Sequence, residues 1–233
     1  MLPYETIQIF SNSWWISIAT VLVIIISLLL MPKYFTWAKH HYFPKAIALL
    51  IIINILAENT YAYSLGIWKV QENLPLHLCS ITGILAALNL FRYSASIVQL
   101  VYYWGLTAGI YSLLTPEFDL GIKGYFFYAY YINHGAMIFA ALYTIIYNGF
   151  EPKRNSWLKT FFFTQIVAII IGSFNLIFGA NYMYLTSPPI ANNPLIIGSW
   201  PWYIIIFEVL AIFHFYLLYR TFYKISSLSL KRI

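Results

Sequence analysis

Seven long apolar stretches run through the chain, at about 13–31, 44–65, 76–91, 96–114, 125–147, 158–179 and 202–221, and they dominate what it can fold into. An untilted helix needs roughly 20 residues to cross about 30 Å of hydrocarbon, so only the third stretch is short for a span. The runs are continuous or broken by isolated polar residues rather than alternating, which points to helices and away from a β-barrel. The predicted fold is an all-α polytopic membrane protein: one domain over 1–233 with seven transmembrane helices.

Charge supports this and adds a direction. Only 9% of the 233 residues are charged and mean hydropathy is +0.74, against about 25% charged residues in a soluble domain. That excludes an ordinary cytosolic or secreted enzyme. In such a chain a net charge of +6 is first a topology signal, and nucleic acid is not an implied partner. Lys33, Lys39 and Lys45, then Arg92, then Lys153, Arg154 and Lys159, then Arg220, Lys224, Lys231 and Arg232 fall in alternate connections and the C-terminal end; the other side receives only Lys69 and Lys123. Eleven against two predicts the N-terminus outside and the C-terminus in the cytoplasm. Trp14, Trp15, Trp68, Trp200 and Trp202 fall near predicted outer ends and Trp37 and Trp157 near inner ones, as interfacial rings should; Trp104 alone lies well inside a span. No basic residue precedes the first span and no small-residue cleavage pattern follows it, so it is expected to stay in the mature protein.

The informative interruptions are Glu58, Cys79, His134 and Glu208, on the second, third, fifth and seventh spans. Measured from the cytoplasmic end of each span, all four lie about 20 Å up at 1.5 Å per residue. A charged carboxylate deep in a bilayer is costly unless it faces a polar interior, so Glu58 and Glu208 read as inward-facing, or else as protonated helix bridges. His134 must be hydrogen-bonded or face water, whether as a packing residue or a reactive one. Asn133, about 100° around the same helix, is expected to bond another span.

Cys79 is the one cysteine, so disulfides within the chain and thiolate metal clusters are excluded; the thiol is inert packing or a nucleophile. The run Asn73-Leu74-Pro75-Leu76-His77-Leu78-Cys79 resembles a helix start, with Asn73 as cap and Pro75 in the first turn. Cys79 then lies one to two turns in, where the helix end favours thiolate modestly. His77 points about 200° away from Cys79 and lines a mouth rather than acting as its base. His134 is the better base, with Glu58, Glu208 or Asn181 available to orient its second nitrogen. The short third span implies that residues 66–75 dip into the protein and make an outward-opening pit, and the uncharged connection 180–201 is expected to fold over it or rest in the interface.

Other features carry less. Glu117 and Asp119 form a capped turn or a cation site. His40 and His41 sit beside the inner face, His214 bonds across helices, and no histidine shows metal-ligand spacing, so neither metal nor cofactor is expected. Gly105 and Gly109 in the fourth span mark a close-packing face, used inside the chain or in a homo-oligomer.

Several segments in combination carry a resemblance: Leu74-Pro75-Leu76-His77-Leu78-Cys79-Ser80, Tyr103-Trp104-Gly105-Leu106 with Leu114-Thr115-Pro116-Glu117, Asn133-His134-Gly135, Asn181-Tyr182-Met183-Tyr184-Leu185 and Trp200-Pro201-Trp202-Tyr203. Together they resemble the bacterial YwaF-type integral membrane proteins, grouped with the eukaryotic transmembrane protein 164 family. The resemblance runs from the third span to the seventh. It implies a bacterial cytoplasmic membrane location and an acyltransferase that moves a fatty acyl chain between phospholipids with a cysteine and a histidine, which by motif are Cys79 and His134. Before Trp200 the chain reads Asn192-Asn193-Pro194-Leu195-Ile196-Ile197-Gly198-Ser199, which departs from the family's polar and glycine pattern and leaves headgroup or acceptor recognition open.

Three functions fit these residues. The first is a thiol transacylase acting on phospholipid or lysophospholipid, with His77, Asn59 and backbone amides as candidate oxyanion donors. The second is a small carrier in which Glu58, His134 and Glu208 relay protons or cations, although inverted repeats and paired broken spans are missing. The third is a lipid-binding sensor.

Overall fold

The computed structural model describes residues 5–39, 41–118, 121–122, 124–189 and 196–230. Six helical stretches in it, one of them the composite Ala95–Leu114, are long and apolar enough to cross a membrane, which makes the chain an all-α polytopic membrane protein. In chain order the helices are α1 (Asn12–Tyr34), α2 (Tyr42–Ser64), α3 (Leu78–Phe91), α4 (Ala95–Leu100), α5 (Leu106–Leu114), α6 (Tyr125–Asn148), α7 (Ser156–Phe178) and α8 (Trp202–Leu230). The third predicted span is the 14-residue α3, about 21 Å long. The strand content among the described residues is one antiparallel pair, Glu5–Thr6 with Glu117–Phe118, in the register Glu5 to Phe118 and Thr6 to Glu117.

The fourth predicted span is not one regular helix. Between α4 and α5 the backbone widens into a wholly buried π turn, Val101–Gly105. The turn holds because three successive side chains find polar partners on α7 and α8. Tyr102 donates to Leu218 O (3.0 Å), the hydroxyls of Tyr103 and Ser156 bond at 2.7 Å, and Trp104 Nε1 donates to Thr164 Oγ1 (2.8 Å). Such π turns are rare and recur near functional sites.

Helix α6 is the centre of the bundle and packs against α1, α2, α3 and α5. Its buried face includes Gly135, Ala136, Ala140 and Ala141, small residues that let neighbouring backbones approach; in lipid this packing, not water exclusion, drives helix association. Gly105 and Gly109 belong to the same contact. A Cβ on Gly105 would lie 3.1 Å from Met137 O, and one on Gly109 3.3 Å from His134 O. Their close-packing face is therefore occupied by α6 of the same chain. α7 and α8 pack on each other at one side, with broad apolar faces exposed (Ile169, Ile170, Leu176, Val209) that suit lipid. Gly149 (φ 64°) and Gly179 (φ 65°) end α6 and α7 in the left-handed conformation.

Candidate functional site

The chain between α2 and α3 is irregular, and its path sets the site. Asn73 does not cap α3, contrary to the expected helix start. Its Oδ1 instead accepts from Lys69 N–H (2.8 Å) and closes a tight turn, braced by a Lys69–Glu72 ion pair at 3.3 Å. Leu74 N–H is taken by the Tyr182 hydroxyl (2.9 Å), and that hydroxyl donates to Val70 O (2.6 Å). The helix therefore begins only at Leu78, with His77 as N-cap. Cys79 is its second residue, nearer the end than expected. The helical ladder starts with Ile81 N–H on His77 O (3.0 Å), so the amides of Leu78, Cys79 and Ser80 precede it and are directed out of the helix end, where the dipole favours an anion.

A hollow of about 290 Å³ opens there, lined by residues of α2, α3, α5, α6 and α8 and of the connections between them. Glu58, Asn59, His77, Cys79 and His134 all line it, which unites five of the seven residues singled out from the sequence. The other two lie elsewhere. Glu208 accepts from Gln165 Nε2 at 2.6 Å, an α7–α8 link, and its neighbour Phe207 faces the hollow instead. Asn181 organises its own turn, accepting from the amides of Thr186 (3.1 Å) and Ser187 (3.0 Å). Asn59 is held by structural bonds: it accepts from Trp68 Nε1 (3.0 Å) and donates to Ile55 O (3.0 Å), fastening the irregular segment to α2.

The two histidines of the hollow have opposite tautomers, fixed by what each meets. His134 Nδ1 lies 2.7 Å from Tyr130 O. A carbonyl only accepts, so Nδ1 carries the proton and Nε2 keeps its lone pair. The orienting group is this backbone oxygen, not Glu58, Glu208 or Asn181 as expected. His77 Nδ1 accepts from Met183 N–H (3.2 Å), so its proton sits on Nε2. With Nδ1 taken up by this amide, His77 presents Nε2–H as a donor.

Residues not singled out from the sequence complete the site. Cys79 Sγ lies 3.6 Å from Ser112 Oγ, and Ser112 O accepts from the Tyr130 hydroxyl (2.8 Å), the residue whose own carbonyl holds His134. Ser112 thus ties the thiol to the histidine's helix. A helical histidine always has a carbonyl four residues back, which was the available signal for Tyr130; Ser112 had none beyond its depth. Asn133 also lines the hollow, and in place of the expected bond to another span its buried Oδ1 has no hydrogen-bond partner among the described residues. His214 does bond across helices, its Nε2 accepting from Tyr111 OH (2.9 Å).

The connection after α7 forms the roof. Asn175 grips Tyr182 through its amide N–H (3.0 Å) and carbonyl (2.8 Å), and Tyr203 OH donates to Tyr184 O (2.6 Å). Tyr184 and Pro189 line the hollow, so part of this connection borders it. Glu117, in the short strand, faces the hollow as well. Asp119, His40, Lys123, Asn192, Asn193, Pro194, Leu195, Lys231 and Arg232 lie outside the described residues. Among the described residues no three His, Cys, Asp or Glu side chains gather as metal ligands.

No curated protein and no solved structure matches the chain. Residues 9–219 match the TMEM164 family, which is most of the chain; the protein belongs to the TMEM164 family.

Proposed function

We propose that the protein is a membrane-embedded acyltransferase in which Cys79 is the nucleophile and His134 its base, moving a fatty acyl group from a phospholipid ester to a lysophospholipid or other hydroxyl acceptor, with no metal or cofactor. The observation that carries the reading is that the unprotonated Nε2 of His134, the Cys79 thiol at a helix N-terminus and the protonated Nε2 of His77 belong to one hollow. The motif resemblance and the family membership point the same way.

The chemistry follows from these atoms. His134 Nε2 takes the Cys79 proton, and the thiolate forms a bond to the ester carbonyl carbon. The carbonyl oxygen becomes an oxyanion, and His77 Nε2–H with the first amides of α3 serve as its donors. Breaking the ester C–O bond expels the lysolipid alkoxide, which takes the proton back from His134, and leaves a thioester on Cys79. In the second half an acceptor hydroxyl gives its proton to His134 and attacks that thioester, restoring the thiol. Acyl chains filling the hollow would displace water and favour transfer over hydrolysis. On the positive-side count the hollow faces the outer half of the bilayer, with the N-terminus outside.

The test is mass spectrometry of purified protein after incubation with mixed phospholipids. An acyl adduct on Cys79, removed by hydroxylamine, is expected, and Cys79→Ala and His134→Ala should each lower transfer by about a hundredfold or more while folding normally. Transfer that survives Cys79→Ala refutes the proposal. Substrate flux that survives it but fails in Glu58→Gln would establish a carrier instead.

A further inference from the structure

A second, open cavity of about 720 Å³ lies at the other end of α3 from Cys79, between the end of α1, the start of α2 and the ends of α3 and α6. Arg92, which follows α3, stands 13 positions beyond Cys79, about 20 Å of helix, so this site is separate from the hollow described above. Lys39, His41 and Lys45 line it and no carboxylate does. Among the described residues the one ion pair is Lys69–Glu72, so neither lysine is neutralised by a described acid. Glu151, in the connection after α6, is exposed and is not part of the lining.

The polar groups of the cavity divide into spent and unspent. Asn89 donates to Thr144 Oγ1 (3.2 Å) and accepts from Ser94 N–H (3.1 Å), and Tyr147 OH donates to Leu29 O; these hold the walls. Tyr143 differs. Its side chain is 93% buried and lines the cavity, yet its hydroxyl enters no hydrogen bond among the described residues. This hydroxyl, accessible from the cavity, shares the lining with two ammonium groups that no described acid neutralises, a set that fits an anion with several acceptor oxygens. The amides at the start of α2 add to the same field, because His41 at its N-cap makes no side-chain cap bond.

Depth identifies the carrier of that anion. Tyr34, Phe35, Trp37 and Tyr42 ring this end with exposed aromatic side chains, the pattern of a headgroup layer. Exposed Leu30, Leu49 and Leu50 run from there along α1 and α2, where acyl chains would lie. We infer that this cavity is a binding site for the phosphate of an anionic phospholipid headgroup, with Lys39, Lys45 and the Tyr143 hydroxyl on its oxygens. Basic pockets between membrane helices are suited to such headgroups.

The experiment uses the full chain in phosphatidylcholine nanodiscs, titrated with phosphatidylglycerol or with inorganic phosphate and read by native mass spectrometry and thermal shift. Phosphatidylglycerol should bind and raise the melting temperature. The double variant Lys39→Gln, Lys45→Gln should weaken that binding by about thirtyfold, at roughly fivefold per lysine. Because these lysines also bias membrane orientation, Tyr143→Phe is the second variant, and it should weaken binding by about fivefold with unchanged stability in phosphatidylcholine alone. Equal phosphatidylglycerol binding by wild type and Tyr143→Phe overturns the assignment. So does stabilisation by inorganic phosphate with none by the lipid.

Discussion

The Tyr182 hydroxyl joins two stretches of chain that meet nowhere in sequence, and deleting it tests whether the roof of the hollow is held as described. Tyr182 is fully buried, and its ring packs near Ile171, Leu74 and Leu76. Tyr182→Phe keeps that packing and removes only the bonds to Val70 O and Leu74 N–H. At a net value of about 1 kcal/mol each, the roof loses about 2 kcal/mol of its attachment to the segment before α3. Since 1.4 kcal/mol is tenfold, the population with the roof displaced rises about thirtyfold. The Asn175 grip and the Met183–His77 bond remain, so global unfolding should shift much less. The assay is the labelling rate of Cys79 with a bulky maleimide. Because Cys79 is the one cysteine, every label reports this site, and Cys79→Ala gives the blank. If opening limits access, the rate of Tyr182→Phe rises about thirtyfold at unchanged reagent concentration. A rate within about twofold of wild type would show that the reagent reaches the thiol by another path, and the roof would lose its role.

Four further outcomes follow from individual contacts. Gly105→Ala places a methyl 3.1 Å from the Met137 carbonyl, a backbone atom that cannot swing aside, and should destabilise the detergent-solubilised protein by about 1–3 kcal/mol; Gly172→Ala meets nothing nearer than Leu185 Cδ1 at 3.7 Å and should stabilise it by up to about 1 kcal/mol, both read by thermal unfolding. Asn54→Leu deletes the bonds to Ala129 O (3.1 Å) and from Tyr125 OH (2.8 Å) and should cost about 1 kcal/mol of α2–α6 association, visible in the same measurement. Glu208→Gln keeps a partner for Gln165 and lies outside the hollow, so acyl transfer should persist at more than half the wild-type rate; a larger loss would place the carboxylate in the chemistry.

The helix ends were legible in the sequence because an apolar run in a bilayer is bounded by water on both sides. α6 was expected at 125–147 and occupies Tyr125–Asn148, and α2 was expected at 44–65 and occupies Tyr42–Ser64. The rules failed where a distant residue outbids a local one. Asn73 and Pro75 fit a helix start, yet Tyr182 holds Leu74 and Met183 holds His77, and both partners are more than a hundred residues away. The π turn left no trace in the periodicity, because what keeps it is two hydroxyls on α7 and a backbone carbonyl on α8.

The site divides along a different line. Depth along a span follows from the helical rise and can be counted in a sequence, and Glu58, Cys79 and His134 do line one hollow. The direction in which a side chain points depends on how each helix is rotated within the bundle, and 100° per residue makes a one-position error decisive. Glu208 and Phe207 illustrate this: the carboxylate counted to the right depth turns to Gln165 on α7, while the phenylalanine beside it faces the hollow. The orientation of His134 was hidden for a related reason. Its partner is no charged or amide side chain but the carbonyl of Tyr130 in the same helix, a group present at every such position and marked by no residue type. What selects it is the enclosure of the imidazole, which leaves Nδ1 facing its own backbone and Nε2 as the basic nitrogen.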